Sequence, residues 1–549
     1  MISDNVNYNK KKELGSIGEI IRELLRIRNI KNKDDFFNPK IDSLTIKNSG
    51  IDKKELDNSV KRVNRAIKNN ETIIIFGDYD VDGICASAII WETIYSKYKN
   101  VFPYIPDRFS EGYGISKGGI NGLLKKYPDA KLIITVDNGI VANDAVSYAR
   151  KKNLDIIITD HHVKSKKSPK AFSIIHTTSL CGAGISWMMA RELGFESERK
   201  INSKLELAAL ATVADLVPLT NLNRVIVRMG INLLRKTKRI GLLELYKVAG
   251  IRADEIDTYH IGYMIAPRLN ASGRITHAID SLRLLCSSDK DFVGSAARLL
   301  DETNRRRQQM VITATQHAKL SVVAEKTLGK IIVVHHKSYS EGIIGLIASR
   351  LVEEYYRPVI AISSEKEISK GSARSVAGVD IITFIRESST HLVNAGGHPM
   401  AAGFSLEKTK IEIFKKEIIK RAKKSISDEN LTRKVIVDAV ILLSLASKGL
   451  YEEIEKFKPF GMGNKRPVFL SKNVLIRNAR RLGKDGSHLR LDLECDGKVF
   501  QAIGFGMGEK FEHGKSNTAD IIYSLDENVW NGKRNLQLKL KDIEIYSEV

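Results

Sequence analysis

Asp78, Asp80 and Asp82 stand at alternate positions in the stretch ETIIIFGDYDVDGICAS, residues 71–87, and Gly83 closes the series. Three carboxylates so close together repel one another, a cost that solvent or a bound cation must screen. The residues just before them, 73–76 (IIIF), form a continuous β-branched-rich apolar run, the pattern of a strand buried on both faces of a parallel sheet. At the carboxyl end of such a strand, where open α/β sheets place their sites, bound metal accounts for the acids better than a solvated turn does. A turn that merely caps the next helix remains the rival, since Asp is favoured there. An EF-hand loop opens with a similar Asp-x-Asp-x-Asp-Gly, but it needs a later glutamate and a leading helix. Here the corresponding region is an apolar run around Trp91, and a strand leads in.

The pattern recurs. Residues 131–136 (KLIITV) read as a second buried strand ending at Asp137-Asn138-Gly139, and 154–159 (LDIIIT) as a third ending at Asp160-His161-His162. Three strands thus deliver acids or histidines to one edge of a sheet. An Ala/Leu-rich helix over 205–214 then ends in Asp215-Leu216-Val217-Pro218. An acid at a helix carboxyl end meets an unfavourable dipole that a cation would offset, although by itself it reads as a solvated helix end.

These groups need elements to position them. Strands and helices alternate from residue 73 to about 219, the signature of an α/β domain with a mainly parallel sheet. Before it, amphipathic stretches at 17–27 and 56–67 predict small helices that pack on the catalytic domain or present basic surface. Residues 222–325 read as mostly helical, with Arg305, Arg306 and Arg307 on a face that is ordinarily solvated. Within them the segment PRLNASGR, running from Pro267 to Arg274, is expected to be a basic, hydroxyl-bearing turn suited to phosphate.

A second α/β unit begins with a strand at 330–335 and contains Gly371-Ser372-Ala373-Arg374-Ser375 and Asn394-Ala395-Gly396-Gly397-His398-Pro399. Consecutive glycines let a backbone approach an anion closely and aim N–H groups at it, or make an ordinary tight turn. From about 433 onward, short alternating strands separated by glycine turns suggest a small oligonucleotide-binding β-barrel, with Arg477, Arg480, Arg481, Lys484 and Arg490 on or beside them.

The 549 residues predict two to four domains, and the 43% hydrophobic and 28% charged content is ordinary globular material. A formal net charge of +23 favours a polyanionic partner such as nucleic acid. Four scattered cysteines without a CxxC pair argue against a disulfide framework or zinc ribbon and fit a reducing cytoplasm. The amino terminus lacks an apolar signal core and no run approaches a membrane span, so a soluble, cytoplasmic protein is expected.

Taken together, GDYDVDG (77–83), VDNG (136–139), Asp160-His161-His162, ADLVP (214–218), PRLNASGR and Gly396-Gly397-His398 resemble the DHH phosphoesterase superfamily and, within it, the RecJ family of single-strand-specific exonucleases. The resemblance spans roughly residues 70–410, and several motifs in order are far more specific than any one. It implies two α/β domains, DHH and DHHA1, joined by a helical connector, plus a C-terminal OB-like β-barrel. The corresponding boundaries are a basic helical segment 1–70, a DHH catalytic domain 71–221, a connector 222–329, a DHHA1 substrate-binding domain 330–425 and the barrel 433–549.

The resemblance also implies two divalent cations, Mn2+ or Mg2+, with Asp78, Asp80, Asp82, Asp137, His161 and Asp215 as ligands and Asp137 as the bridge. Hard oxygens with one imidazole suit manganese. Asp137, Asp160 and His162 carry the catalytic roles, with His162 facing the scissile phosphate. Arg274, Ser372, Arg374, Gly396, Gly397 and His398 are expected to grip phosphate across a cleft, and Tyr113 to stack on a base or sit in the core.

The activity implied is 5′→3′ hydrolysis of single-stranded DNA to mononucleotides in repair and recombination. A single-stranded-DNA-binding protein and a recombination helicase are the implied partners, and a monomer the implied state. Three departures from the family pattern stand out: Phe76 where some members have histidine, so that a ligand available elsewhere is absent, and, near the substrate path, a shortened region after His162 and KSYSE (337–341) in place of an aromatic-His-Glu sequence. Two alternatives stay open. A phosphodiesterase for short oligonucleotides or cyclic dinucleotides needs neither the barrel nor the basicity. A catalytically silent replication scaffold would have lost a motif acid, and none is lost here.

Overall fold

The run at 73–76 forms the strand Thr72–Gly77 in the computed structural model of the chain. The structure describes residues 12–107, 111–112, 114–275, 277–325, 327–388, 390–511, 517–530 and 533–546. Thr72–Gly77 lies in a five-stranded, wholly parallel sheet in the order Val101–Tyr104, Thr72–Gly77, Ala130–Val136, Asp155–Asp160, Ser173–His176. The chain therefore steps one way from its first strand and then reverses. The switch point falls between Thr72–Gly77 and Ala130–Val136, the place where such sheets open a crevice. The two strands not anticipated from sequence are both edges: each has four residues, and one contains Pro103, which tolerates only an edge.

Helices Val81–Lys97, Gly182–Leu193 and Leu205–Ala214 are buried along nearly their whole length, as their apolar composition on all faces requires. The two N-terminal helices part company. Lys53–Lys68 packs on the sheet, with Ser59 Oγ 2.7 Å from Ser173 Oγ and Arg62 bound to Glu71 and Asp155. Ile17–Ile27 instead puts Ile20 and Leu24 into the barrel core, and Glu13–Leu14 pairs in parallel with Ala439–Ile441.

The barrel consists of Phe469–Leu482, His488–Cys495, Lys498–Gly504, Lys533–Ile545 and Thr518–Trp530, and pairing of the first strand with the last closes it. It belongs to the same compact unit as the parallel sheet: residues 1–238, 251–263 and 434–549 form one unit and 239–250 with 264–433 another. The stretch expected as a single connector, 222–329, is divided between them.

In the second unit a 35-residue helix, Lys290–Ala324, carries the Arg305–Arg307 run. A mixed five-stranded sheet follows, ordered Leu392–His398, Ala401–Glu407, Ile368–Arg374, Val359–Ser363, Ile332–His336. Two local expectations are corrected here. PRLNASGR is a helix, Ala266–Ile275, not a turn: Leu269, Ala271 and Ser272 are fully buried, and Ser272 Oγ donates to the Leu269 carbonyl. Burial overrides the weak propensities of Asn, Ser and Gly. The widened π-turn His260–Ile265 just before it accommodates Pro267, which lacks an N–H. The Gly396-Gly397-His398 segment lies in a strand rather than a tight turn, with Gly396 opposite Gly403. Among the described residues no helix is long and apolar enough to cross a membrane.

Candidate metal centre

Asp137 lies at the switch point in the left-handed region, φ 63°, where a non-glycine residue is strained. Its N–H donates to the Thr159 carbonyl at 2.9 Å, so the neighbouring strand holds it in that conformation. The consequence is that its carboxylate belongs to two clusters at once. With Asp78 and Asp80 it forms one group of mutually close ligand atoms, and with His161 and His162 another; Asp82, His161 and Asp215 form a third. His161 Nε2 lies 3.1 Å from Asp137 Oδ1, 3.6 Å from Asp215 Oδ2 and 3.7 Å from Asp82 Oδ2.

Each acid is placed by a different element. Asp80 caps the helix Val81–Lys97, accepting from Gly83 N–H at 3.0 Å. Asp82 points the other way and accepts the N–H groups of Gly182 and Ala183, 2.7 Å each, from the first turn of the helix Gly182–Leu193. That helix end neutralises part of its charge. Gly182 has no substitute there, because a Cβ would lie 2.6 Å from the Asp137 Cβ. Asp215 leaves the helix Leu205–Ala214 through Leu216, itself at φ 58°.

The electrostatics follow from crowding. Burial, and then the charges of Asp82, Asp80, Asp78 and Asp215, push the Asp137 carboxyl well above its ordinary range. Asp215 is pushed up to about 8 by burial and by Asp82 and Asp80, and Asp80 rises for the same reasons, burial and then Asp82. Burial lowers His161 and keeps its imidazole neutral, as a metal ligand requires. His162 is the opposite case: burial opposes its charge, but the hydrogen bond and charge of Asp160 outweigh burial and raise it to about 9. Asp160 receives His162 Nδ1 at 2.7 Å, His162 N–H at 3.0 Å and Ile140 N–H at 2.8 Å. Both its oxygens are thus used to hold neighbours.

A divalent cation fits these residues. The buried Oδ1 of Asp137 makes no hydrogen bond within the described residues, although His161 Nε2 lies 3.1 Å away, an omission that costs about 1–3 kcal/mol unless something else satisfies it. A set of hard carboxylate oxygens with one neutral imidazole is the donor chemistry of manganese or magnesium.

In the second unit Ser372, Gly403 and Gly396 stand opposite one another on three adjacent strands, as do Arg374, Ala401 and His398. The predicted phosphate residues therefore form two rows at one end of that sheet. Arg374 donates to Ser372 Oγ at 3.1 Å and to the Ala373 carbonyl at 2.8 Å. Gly345 leaves room for the pair, since a Cβ there would meet Arg374 at 2.9 Å and Ser372 at 3.1 Å. Tyr113 and the Arg274 side chain lie outside the described residues. Phe76 is fully buried in the apolar cluster beneath the sheet and stacks on Tyr104.

The sequence reading missed Gly182 and Ala183. Their signal was the side-chain-poor CGAG at 181–184, a helix start able to meet an anion with backbone alone.

A parallel sheet of this order with carboxylates and histidines converging on its switch point, on a chain with a second small α/β sheet and a barrel, agrees with the resemblance to the DHH phosphoesterases. The chain matches the DHH family, N-terminal domain, over residues 72–214, the DHHA1 domain over 328–426 and the RecJ OB domain over 437–542. It is 33% identical over 506 residues to the single-stranded-DNA-specific exonuclease RecJ of Bacillus subtilis, covering 90% of this chain and 64% of that protein. The protein of that name from Haemophilus influenzae is 28% identical, with 90% of this chain and 91% of the relative covered.

Among solved structures, Thermus thermophilus RecJ in complex with Mn2+ superposes with a TM-score of 0.80 at 24% identity, over 96% of this chain and 76% of that one. An exonuclease RecJ bound to manganese matches at 27% identity and a TM-score of 0.59, over 67% of this chain and 94% of that one. Over 90% of its length the chain is similar to a single-stranded-DNA-specific exonuclease named RecJ, and it carries DHH, DHHA1 and RecJ OB domains. It spans 64% of the length of the Bacillus subtilis relative.

Proposed function

We propose that this chain is a metal-dependent exonuclease that hydrolyses single-stranded DNA from the 5′ end to mononucleotides. The observation that carries the reading is the sharing of Asp137 between two ligand clusters at the switch point, one of them with Asp78 and Asp80 and the other with His161 and His162. In this reading Asp78, Asp80, Asp82, Asp137, His161 and Asp215 would hold two divalent cations, Asp137 contributing to both of its ligand clusters. When bound, the cations supply Lewis-acid activation of water and neutralise charge at the phosphoryl oxygens.

The chain's own residues do the rest. His162, charged and held by Asp160, stabilises negative charge on the scissile phosphate and its leaving oxygen. Asp160 is a positioning residue, since its oxygens serve His162 and Ile140. Arg374 and Ser372, with the Gly396 to His398 backbone, grip a phosphate of the strand, and Arg274 joins them. The same reading places the protein in the cytoplasm as a monomer. Its partners there are a single-stranded-DNA-binding protein and a recombination helicase, in repair and recombination.

The test is digestion of a single-stranded DNA oligomer labelled separately at each end, with Mn2+, Mg2+ or chelator, beside a blunt duplex. Stepwise mononucleotide release from the 5′ end, dependent on metal and absent on the duplex, is expected. Turnover of dinucleotides alone moves the function to a small-substrate phosphodiesterase, and binding without turnover to a silent scaffold.

A further inference from the structure

A strand entering an exonuclease site must be held beyond the nucleotide being removed, and the first unit carries an unassigned surface with the chemistry for it. Tyr259 and Tyr263, four residues apart at the π-turn, are 58% and 71% exposed. Their rings stack at 5.1 Å and 28°, so neither is spent on the core. A π-turn is itself a feature that gathers at functional sites.

Tyr259 lines a cavity of about 650 Å3 whose walls also bring Arg228, Arg235, Lys458 and Lys539. The lining sets five cations, these four with Arg466, against three acids, Asp257, Glu455 and Asp526; Asp257 is engaged by His260 and Glu455 by Arg466 and Lys458, and the balance of the cavity stays positive. Lys539 continues the surface onto the barrel, where its Nζ lies 5.6 Å from the ring of Phe505, 56% exposed. At the other end Gly262 abuts Val213, with 3.9 Å between a Cβ built there and Val213 Cγ1, two residues before the metal-centre acid Asp215.

We propose that Tyr263, Tyr259, the cations of this cavity and Phe505 form a track that stacks and screens the single strand outside the metal centre. Aromatic faces alternating with cations are what a strand of any sequence needs, because every base has a π-face and every link a phosphate. The inference rests on the exonuclease reading for its choice of ligand.

The test compares kcat/KM on a tetranucleotide and on an oligomer of about 30 nucleotides, both with Mn2+, and the affinity of the longer one by fluorescence anisotropy in Ca2+. The Tyr259→Ala, Tyr263→Ala double variant of the full chain should lose about tenfold on the longer oligomer, in rate and affinity, and stay within about twofold on the tetranucleotide. The corresponding Phe variants should restore both, and Lys539→Ala should flatten the salt dependence of binding. Equal loss on both lengths, or no loss on the longer one, overturns the track. If the wild type binds the long oligomer through these tyrosines but cleaves neither, the track stands and the exonuclease reading falls.

Discussion

Asp137 combines three costs in one residue: a left-handed backbone, a carboxylate surrounded by four others, and a buried oxygen that makes no hydrogen bond within the described residues. A bound cation would relieve the second and third, whereas the Thr159 carbonyl holds the first in place. Asp137→Asn keeps the shape and removes the charge. It should lower the Mn2+-dependent rate by about 10³-fold or more, several kcal/mol of transition-state stabilisation, while raising the melting temperature of chelated protein at pH 8. An unchanged rate would remove Asp137 from its bridging place. Asp160→Asn tests the other half of the site. Without the partner that raises it, His162 loses its proton at lower pH, so the alkaline fall of the pH–rate profile should move down in pH. A profile merely scaled down, without that move, would make Asp160 a structural group. The identity of these residues was legible in the sequence because strand and acid are adjacent there. That Asp137 is the shared carboxylate followed only from the family resemblance, since no local pattern encodes where Asp78, Asp137 and His161 meet across three strands.

Helices bring to the site what strands cannot. The first turn of Gly182–Leu193 serves Asp82 with two backbone N–H groups, an approach that a single methyl would block. Gly182→Ala should therefore cost about 1–3 kcal/mol of stability and most of the activity, because the displaced atom is the Asp137 Cβ. Melting and rate measured on the same preparation check it, and a stable, active variant would show that the helix end can retreat without loss. A second junction holds Asn221–Leu234 to the segment before the barrel. Arg224 donates to the carbonyls of Phe36, Phe457 and Lys458 at 2.9, 2.8 and 2.9 Å and lies 3.7 Å over the Phe36 ring. Arg224→Met takes that donor from the Phe36 carbonyl, while the Phe457 and Lys458 carbonyls keep Asn464 and Arg228, so at the cost of one buried unsatisfied group a loss of about 1–3 kcal/mol in chemical denaturation is expected. A smaller loss would mean that water replaces the guanidinium.

At the scale of the whole chain, the metal centre makes stability depend on pH in an unusual direction. Asp215 is raised from 3.8 to about 8, and Asp137 and Asp80 are raised too. A carboxyl that keeps its proton when folded, where the unfolded chain has released it, contributes stability that is full below the unfolded value and lost as pH rises through the folded one. Chelated protein should therefore lose melting temperature between about pH 4 and 8 on this account. Saturating Mn2+ should flatten that limb and raise the midpoint throughout, since it binds only the folded cluster. Thermal melts across that range, with and without chelator, decide it; a limb that Mn2+ leaves in place would mean that other groups titrate.

The sequence by itself determined the strands and the chemistry at their ends. Runs such as 73–76 and 131–136, followed at once by Gly or Asp, carry burial and function within a few residues of each other. The helices Ile17–Ile27 and Leu205–Ala214 were equally legible from their periodicity and composition. Tertiary structure alone decided the destinations: Ile20 and Leu24 in the barrel core, PRLNASGR as a buried helix, and Asp82 against Gly182, a hundred residues on. The physical reason is range. Propensity and capping act over a turn or two of chain, whereas the burial and backbone contacts that overrule them join residues separated by 100 positions at Asp82 and by 233 at Arg224, and no local pattern encodes those partners.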